Sequence, residues 1–426
     1  MMWTHGDRML EVSGSREQRA RAQGEFFRPH VHRMFKEGFS DLLPRWTPAW
    51  LVRAALRIVG GLYLRWHRPL YDDPARAHHR SALEALARAA GMAPATLYGF
   101  HAVESETANL GFSMGCTSLA FGPHCTADGA PRLAYNHDFP PAFERFLFLR
   151  RSTPDDGYRS LAVTYPCLMG AINGVNEHGL AVSVNQAFAT DIERRRPALF
   201  VTMLVQECLE SCRDVAEAVT LLRGARVAAG CIVSLVDASG ERAAVELSNT
   251  RATVRRAADD DEVLYTFNNY RVPSMREVEV PVGAISTGLV SGLDIHRCNV
   301  TRERAYLARV RGGERWDDGA IQQLLSDHDG GAGDSDTICR HDDPLSETIL
   351  STIIDTRART MKLLWGRPCE KGYAVMHIKA HAVGLRSSFP TAVGGEHEAK
   401  DAARHTAGEP LAGGVRRGRA LSDSRA

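Results

Sequence analysis

A glycine, a cysteine and a threonine stand together at 115–117, in GFSMGCTSLAF, where a helical pattern gives way to a strand-like one. If the peptide bond before Cys116 is cut, that residue carries both a thiol and a free α-amino group. The amine, with an ordinary pKa of about 8, can act as general base for its own side chain. Taken singly, the motif also fits a small buried cysteine. Downstream, RLAYNHDF puts Asn136 and Asp138 at the end of a predicted second strand. Residues i and i+2 of a strand share a face, so an amide and a carboxylate could point together toward Cys116. Asp138 could hold the α-amino group as its ammonium, or serve as a turn aspartate before Pro140. GAINGVNEHGLAVSVNQAF reads as a turn at NEHG and a strand ending at Asn185. A side-chain amide there can donate to a developing oxyanion, an interaction worth roughly 3 kcal/mol. TFNNYRVP adds Asn268 and Asn269 where a strand passes into a loop.

The elements that must position these groups follow from periodicity. Between about 25 and 110 apolar residues recur at helical spacing; Leu83, Leu86 and Ala87 share one face. From Cys116 the pattern becomes short apolar or alternating runs broken by Gly, Asp and Asn, with DASG at 237–240 as a hairpin turn. Residues 200–224 return to a helical pattern ending at Gly224, RERAYLARV at 302–310 reads as another helix, and SETILSTIIDTRARTMKLLWGRPC closes as two strands. Strands on both sides of a helical block predict sheets covered by helices, an α+β arrangement that a four-layer αββα sandwich satisfies. Phe139, Phe143 and Phe146 could line an apolar acyl pocket or form the core face of a helix.

Composition excludes several classes. With 52 basic and 51 acidic residues among 426, the formal charge of +1 offers no field to draw in nucleic acid. Residues 51–66, the best approach to a membrane segment, carry Arg53, Arg57 and Arg65 and read as an amphipathic helix. MMWTHGDRMLEVSGSREQ lacks the apolar core of a secretory signal, so a cytoplasmic address is expected. The nine cysteines have no framework spacing and are expected to be reduced and buried.

Taken in order, GCTS, NxD, GxNExGLAVxxN, DASGE…VE, NNY, an arginine near a helix start, ICRH and GxPC resemble the acyl-coenzyme A:6-aminopenicillanate acyltransferase family over roughly residues 100–378. More distantly they are similar to choloylglycine hydrolases and acid ceramidase. The resemblance implies the αββα fold of N-terminal-nucleophile hydrolases, autocatalytic cleavage between Gly115 and Cys116, and hydrolysis or transfer at an amide or thioester acyl group of a small molecule. It makes Cys116 the nucleophile, Asp138 the partner of its α-amino group, Asn185 an oxyanion donor, Asn269 a second polar site residue and Arg302 a distal supporting arginine. No metal and no organic cofactor is implied. The expected organisation is a mobile tail over 1–24, a helical propeptide segment over 25–115, a catalytic domain over 116–380 and a disordered tail over 387–426. One departure stands out. Relatives commonly carry an arginine where this chain has Tyr135, in Tyr135-Asn136-His137-Asp138. A positive charge there would lower the cysteine pKa, and a tyrosine cannot supply it; His137 and Arg132 are the nearest substitutes.

Three rival readings compete. GFSMG matches the G-x-S-x-G elbow and would make Ser113 the nucleophile of an α/β-hydrolase, but that motif needs a strand before it and a helix after it. His124-Cys125 and Cys339-Arg340-His341 suggest a metal site, against which their spacing argues; the resemblance instead places Cys339 and Cys369 in the closing sheet as packing residues, and Arg340-His341 could equally be a solvated turn before Asp342. Tyr135 favours the last reading, a non-catalytic homologue that is never cut.

Overall fold

The computed structural model describes residues 8–39, 43–44, 46–74, 76–109, 115–258, 263–284, 296–310, 314–341 and 346–378. Ser113 and residues 387–426 lie outside them. The strands are β1 (Met9–Gly14), β2 (Cys116–Phe121), β3 (Arg132–Phe139), β4 (Phe148–Pro154), β5 (Ser160–Thr164), β6 (Asn173–Asn176), β7 (Ala181–Gln186), β8 (Cys231–Val236), β9 (Arg242–Leu247), β10 (Ala252–Arg256), β11 (Leu264–Thr266), β12 (Glu347–Asp355), β13 (Thr360–Trp365) and β14 (Ala374–His377). The helices are α1 (Arg16–Phe27), α2 (Val31–Arg33), α3 (Ala49–Tyr71), α4 (Ala77–Ala89), α5 (Pro94–Asn109), α6 (Val201–Ser211), α7 (Val215–Arg223), α8 (Pro273–Arg276), α9 (Arg297–Arg309) and α10 (Asp318–Leu325).

The strands form two sheets, one of eight in the order β1-β4-β5-β6-β7-β8-β9-β10 and one of six in the order β11-β2-β3-β12-β13-β14. They stack face to face through β2 and β3 on one side and β7 and β8 on the other. The layer between them is partly polar: Ser118 bonds Ser183 (2.9 Å), Ser234 bonds Thr266 (2.9 Å) and Asn173 donates to Thr352 (2.7 Å). Each such pair satisfies groups that would be costly to bury alone. α6 and α7 cover the outer face of the larger sheet. Ala305 and Tyr306 of α9 and Ile321, Leu324 and Leu325 of α10 pack on Leu119, Phe121, Ala134 and Ile353 of the smaller. The result is the four-layer αββα sandwich.

Most elements lie where periodicity puts them. β2 pairs antiparallel with β3, DASG joins β8 to β9, and SETILSTIIDTRARTMKLLW is the β12–β13 pair. The 200–224 pattern is two helices, because Asp214 caps a fresh start by accepting the Glu217 N–H. α3 buries Val52, Leu56, Gly60, Tyr63, His67 and Tyr71 along one stripe, and no described helix is long and apolar enough to cross a membrane. All nine cysteines are free thiols, buried except Cys369.

The N-terminal boundary needs correction. Residues 9–24 are not a tail: β1 adds to the large sheet parallel to β4, Met9 opposite Leu149, and α1 follows with a capping box in which Ser15 and Gln18 bond each other's backbone. The layered domain therefore takes one of its strands from upstream of Cys116.

Candidate active site

Cys116 opens β2 directly opposite His137 of β3, and it is 5 % exposed. Its backbone is held at both ends. The N–H donates to Asn268 Oδ1 (2.9 Å), and the carbonyl accepts from Asn185 Nδ2 (3.0 Å) and Arg302 Nη1 (2.8 Å). The sulfur lies 3.3 Å from the Tyr135 hydroxyl and 3.7 Å from His137 Nδ1, which are themselves 3.1 Å apart. Alternation along β3 explains the grouping: Tyr135, His137 and Phe139 share one face, Asn136 and Asp138 the other. Asn136 is thus turned away from the thiol; it donates to the Leu325 and Ile338 carbonyls and accepts from Ser351.

Asp138, fully buried, approaches the Gly115–Cys116 bond from the opposite face. Its backbone N–H donates to the Gly115 carbonyl (3.0 Å), and its Oδ1 accepts from Thr348 (2.7 Å). A Cβ at position 115 would run into Asp138 Oδ2 and Arg340 Nη1, so only glycine lets both groups close on this bond. Arg302 reaches in from α9, within 3.6 Å of the Asp138 carboxylate, donating to Asn268 Oδ1 (2.8 Å) and Asn299 Oδ1 (3.0 Å) and lying over the Phe267 ring.

Several sequence expectations change here. Asn268, not Asn269, meets Cys116, while no hydrogen bond reaches the buried Asn269 Oδ1. Asn185 spends both N–H bonds on the Cys116 and Thr266 carbonyls and its oxygen on Ser118, which makes it a clamp on the Cys116 backbone with no N–H left for a substrate oxyanion. Arg132 lies at the far end of β3, paired with Asp128, Asp318 and Asp355, and cannot replace the missing arginine. Arg340 and His341 are no solvated turn. Arg340 is 1 % exposed, donates to Ser346 Oγ (2.9 Å) and abuts Gly115. Its signal in the sequence was only its place between Cys339 and His341. His124 and Cys125 join no cluster of metal-ligating groups among the described residues.

Burial sets the protonation states. It pushes the Cys116 thiol up to about 11, helped by the Asp138 charge and opposed by the Tyr135 hydrogen bond and Arg302. Burial lowers His137 to about 3 and raises Tyr135 well above its ordinary value. At neutral pH the site holds a neutral thiol, imidazole and phenol in mutual contact. Beside them His137 stacks on Phe139 (5.4 Å), and Phe143 meets Phe139 and Tyr165 edge to face (5.0 and 5.9 Å), forming an aromatic wall.

The model of the family described as acyl-coenzyme A:6-aminopenicillanic acid acyl-transferase matches residues 125–370, more than half of the chain. No curated protein matches. Among solved structures, a Caenorhabditis elegans N-acylethanolamine-hydrolyzing acid amidase ortholog is 13% identical, with 57% of this chain and 93% of that one covered at a TM-score of 0.40. A mutant of the conjugated bile acid hydrolase from Clostridium perfringens is 12% identical, with 62% and 92% covered at 0.39. Penicillin V acylase from Agrobacterium tumefaciens is 16% identical, with 59% and 82% covered at 0.32.

Proposed function

Because the chain belongs to the acyl-coenzyme A:6-aminopenicillanic acid acyl-transferase family, an N-terminal-nucleophile enzyme family, we propose that it is a self-processing cysteine amidohydrolase or acyltransferase, made as a precursor and cut between Gly115 and Cys116. The observation that carries this reading is the state of that bond: its carbonyl accepts the Asp138 N–H, its amide nitrogen is held by Asn268, and the thiol beside it contacts Tyr135 and His137.

In maturation the Cys116 thiol gives its proton to His137 Nδ1, and the sulfur attacks the Gly115 carbonyl carbon. The oxyanion is held by the Asp138 N–H. Breaking the C–N bond frees the α-amine, which takes the proton back from His137, and water hydrolyses the thioester to leave residues 1–115 with a new carboxylate. His137 starts unprotonated, as a base must, but the burial that keeps it neutral also makes it a weak base toward the thiol, so the proton transfer from Cys116 is the slow part of maturation. In turnover the α-amine, held by Asn268 Oδ1 with the Asp138 carboxylate close by, takes the thiol proton. The sulfur attacks the substrate acyl carbon, the same Asp138 N–H holds the oxyanion, and the leaving amine or thiol departs with the proton. Water or a second amine then takes the acyl group. The wall of Phe139, Phe143 and Tyr165 supports an apolar acyl group on a small-molecule amide or thioester.

Intact mass and N-terminal sequencing of the purified chain, beside a Cys116→Ala variant, test the proposal. Expected are two fragments from the wild type, one beginning Cys-Thr-Ser, and a single uncut variant. A wild type that stays whole under every maturation condition would sink the mechanism and favour the uncleaved, non-catalytic reading.

A further inference from the structure

His328, Cys339, His341 and Cys369 come from three separate stretches of chain, and the reaction above uses none of them. Their ligand atoms all lie within 4.8 Å of one another. The Cys339 sulfur is 3.4 Å from His341 Nε2 and 3.6 Å from the Cys369 sulfur, and the Cys369 sulfur is 3.2 Å from the same Nε2. The His328 ring stands perpendicular to that of His341, centroids 4.7 Å apart, and its Nε2 is buried with no hydrogen-bond partner. Cysteines that merely fill space pack against carbon. These instead converge on nitrogen and on each other.

A tetrahedral ion with metal–sulfur bonds of about 2.3 Å and metal–nitrogen bonds of about 2.0–2.1 Å has edges of about 3.8 Å between sulfurs and about 3.6 Å between sulfur and nitrogen. The observed 3.6, 3.4 and 3.2 Å are a few tenths of an ångström inside those edges. We propose that His328, Cys339, His341 and Cys369 hold one zinc ion in a closed site of two thiolates and two imidazoles. Two soft sulfurs with two imidazoles favour Zn2+ over oxygen-seeking cations, and four protein ligands make the site structural.

The surroundings are already arranged for it. The backbone N–H groups of Cys339 and His341 donate to the Asp327 and Asp334 carbonyls (3.1 and 3.0 Å), and the Cys339 carbonyl accepts from Thr337 Oγ1 (2.6 Å). Gly333, at φ +96°, passes so close that a Cβ there would sit 2.7 Å from the His341 ring and 3.1 Å from that of His328. Arg367 donates to His341 Nδ1 (3.2 Å), which leaves the ring proton on Nε2, facing the sulfurs. Binding releases the two thiol protons to solvent and moves the His341 proton to Nδ1. Arg367 then turns to Glu370 and Glu347, which it already meets at 2.6 and 3.8 Å. Two thiolates balance the charge of the ion.

The test uses the full chain, expressed with zinc in the medium, purified without a metal-affinity tag and dialysed against metal-free buffer. Mass spectrometry of its metals should find about one zinc per chain, unchanged in Cys116→Ala and reduced about tenfold or more in the Cys339→Ser/Cys369→Ser double variant. Exchange of cobalt into the wild type should give a thiolate-to-cobalt charge-transfer band and the strong visible absorption of a tetrahedral site. The cobalt spectrum decides by itself if the double variant fails to fold. Zinc retained by a folded double variant, no thiolate band with cobalt, or a metal-free chain lighter by two hydrogens through a Cys339–Cys369 disulfide would each overturn the proposal.

Discussion

Asn268 and Asn269 are neighbours with different surroundings. Asn268 Oδ1, on a fully buried side chain, accepts from both the Cys116 N–H (2.9 Å) and Arg302 (2.8 Å). Its replacement by alanine leaves a buried N–H and a guanidinium each short of a partner, a loss of about 2–3 kcal/mol. Asn268→Ala should slow both self-cleavage and turnover about a hundredfold, whereas Asn269→Ala should change them less than about threefold, by densitometry of the maturing chain and by kcat/KM. The family resemblance chose Asn269, and strand spacing could not correct that choice, because β11 ends at Thr266 and the parity rule lapses in the loop that follows. Inside regular structure spacing fixes the neighbours more firmly: Arg302 of α9 touches both the Cys116 carbonyl of β2 and the Asp138 carboxylate of β3. It also put β3 beside Cys116, but did not fix which face of β3 the thiol would see, since a one-residue change of register exchanges the faces.

α1 has no apolar stripe: it buries Phe27 and packs Gly24 on α4, and the rest of its inner face is held by charge. Glu210 of α6 accepts from Arg16 (2.8 Å), Arg19 (2.7 Å) and Gln206 (2.7 Å), while Arg150 of β4 binds Gln23 and Gln206 in the same buried network. Burial alone would raise the Glu210 pKa, but the charges of Arg16, Arg19 and Arg150 hold it below its ordinary value. Glu210→Gln leaves those guanidiniums uncompensated and should cost about 3–5 kcal/mol. Glu37→Gln, which removes the more exposed pairs with Arg33 and Arg145, should cost no more than about 1 kcal/mol. Urea unfolding of both variants in a Cys116→Ala background checks the contrast. This element was missed because REQRARAQGEFF has no hydrophobic period, and its decisive partner lies 191 residues away. Only the Ser15-to-Gln18 capping signature was local. α3, α4, β8 and β9, which bury regular apolar runs, were legible for the opposite reason.

At the scale of the whole molecule, acid works against the fold. Burial lowers His67 to about 4 and His101 and His137 to about 3, so all three are neutral when folded and take up a proton in the unfolded chain below about 6.5. Their contribution is fully present above that pH and is lost as pH falls from about 6.5 toward 3–4, at about 2 kcal/mol each by pH 5. Unfolding in urea at pH 7.5 and at pH 5.0 should show that loss, and His101→Phe should reduce it by about a third. The four layers were legible from the change of period at Cys116, but the share of the large sheet taken by upstream residues was not, since strand partners are long-range choices. That strand bears on the final product. After a cut at Gly115–Cys116 the molecule is two polypeptides sharing one sheet across the β1–β4 ladder. Unfolding then becomes dissociation, and the melting temperature of the mature protein should rise with protein concentration, as that of the uncut precursor does not.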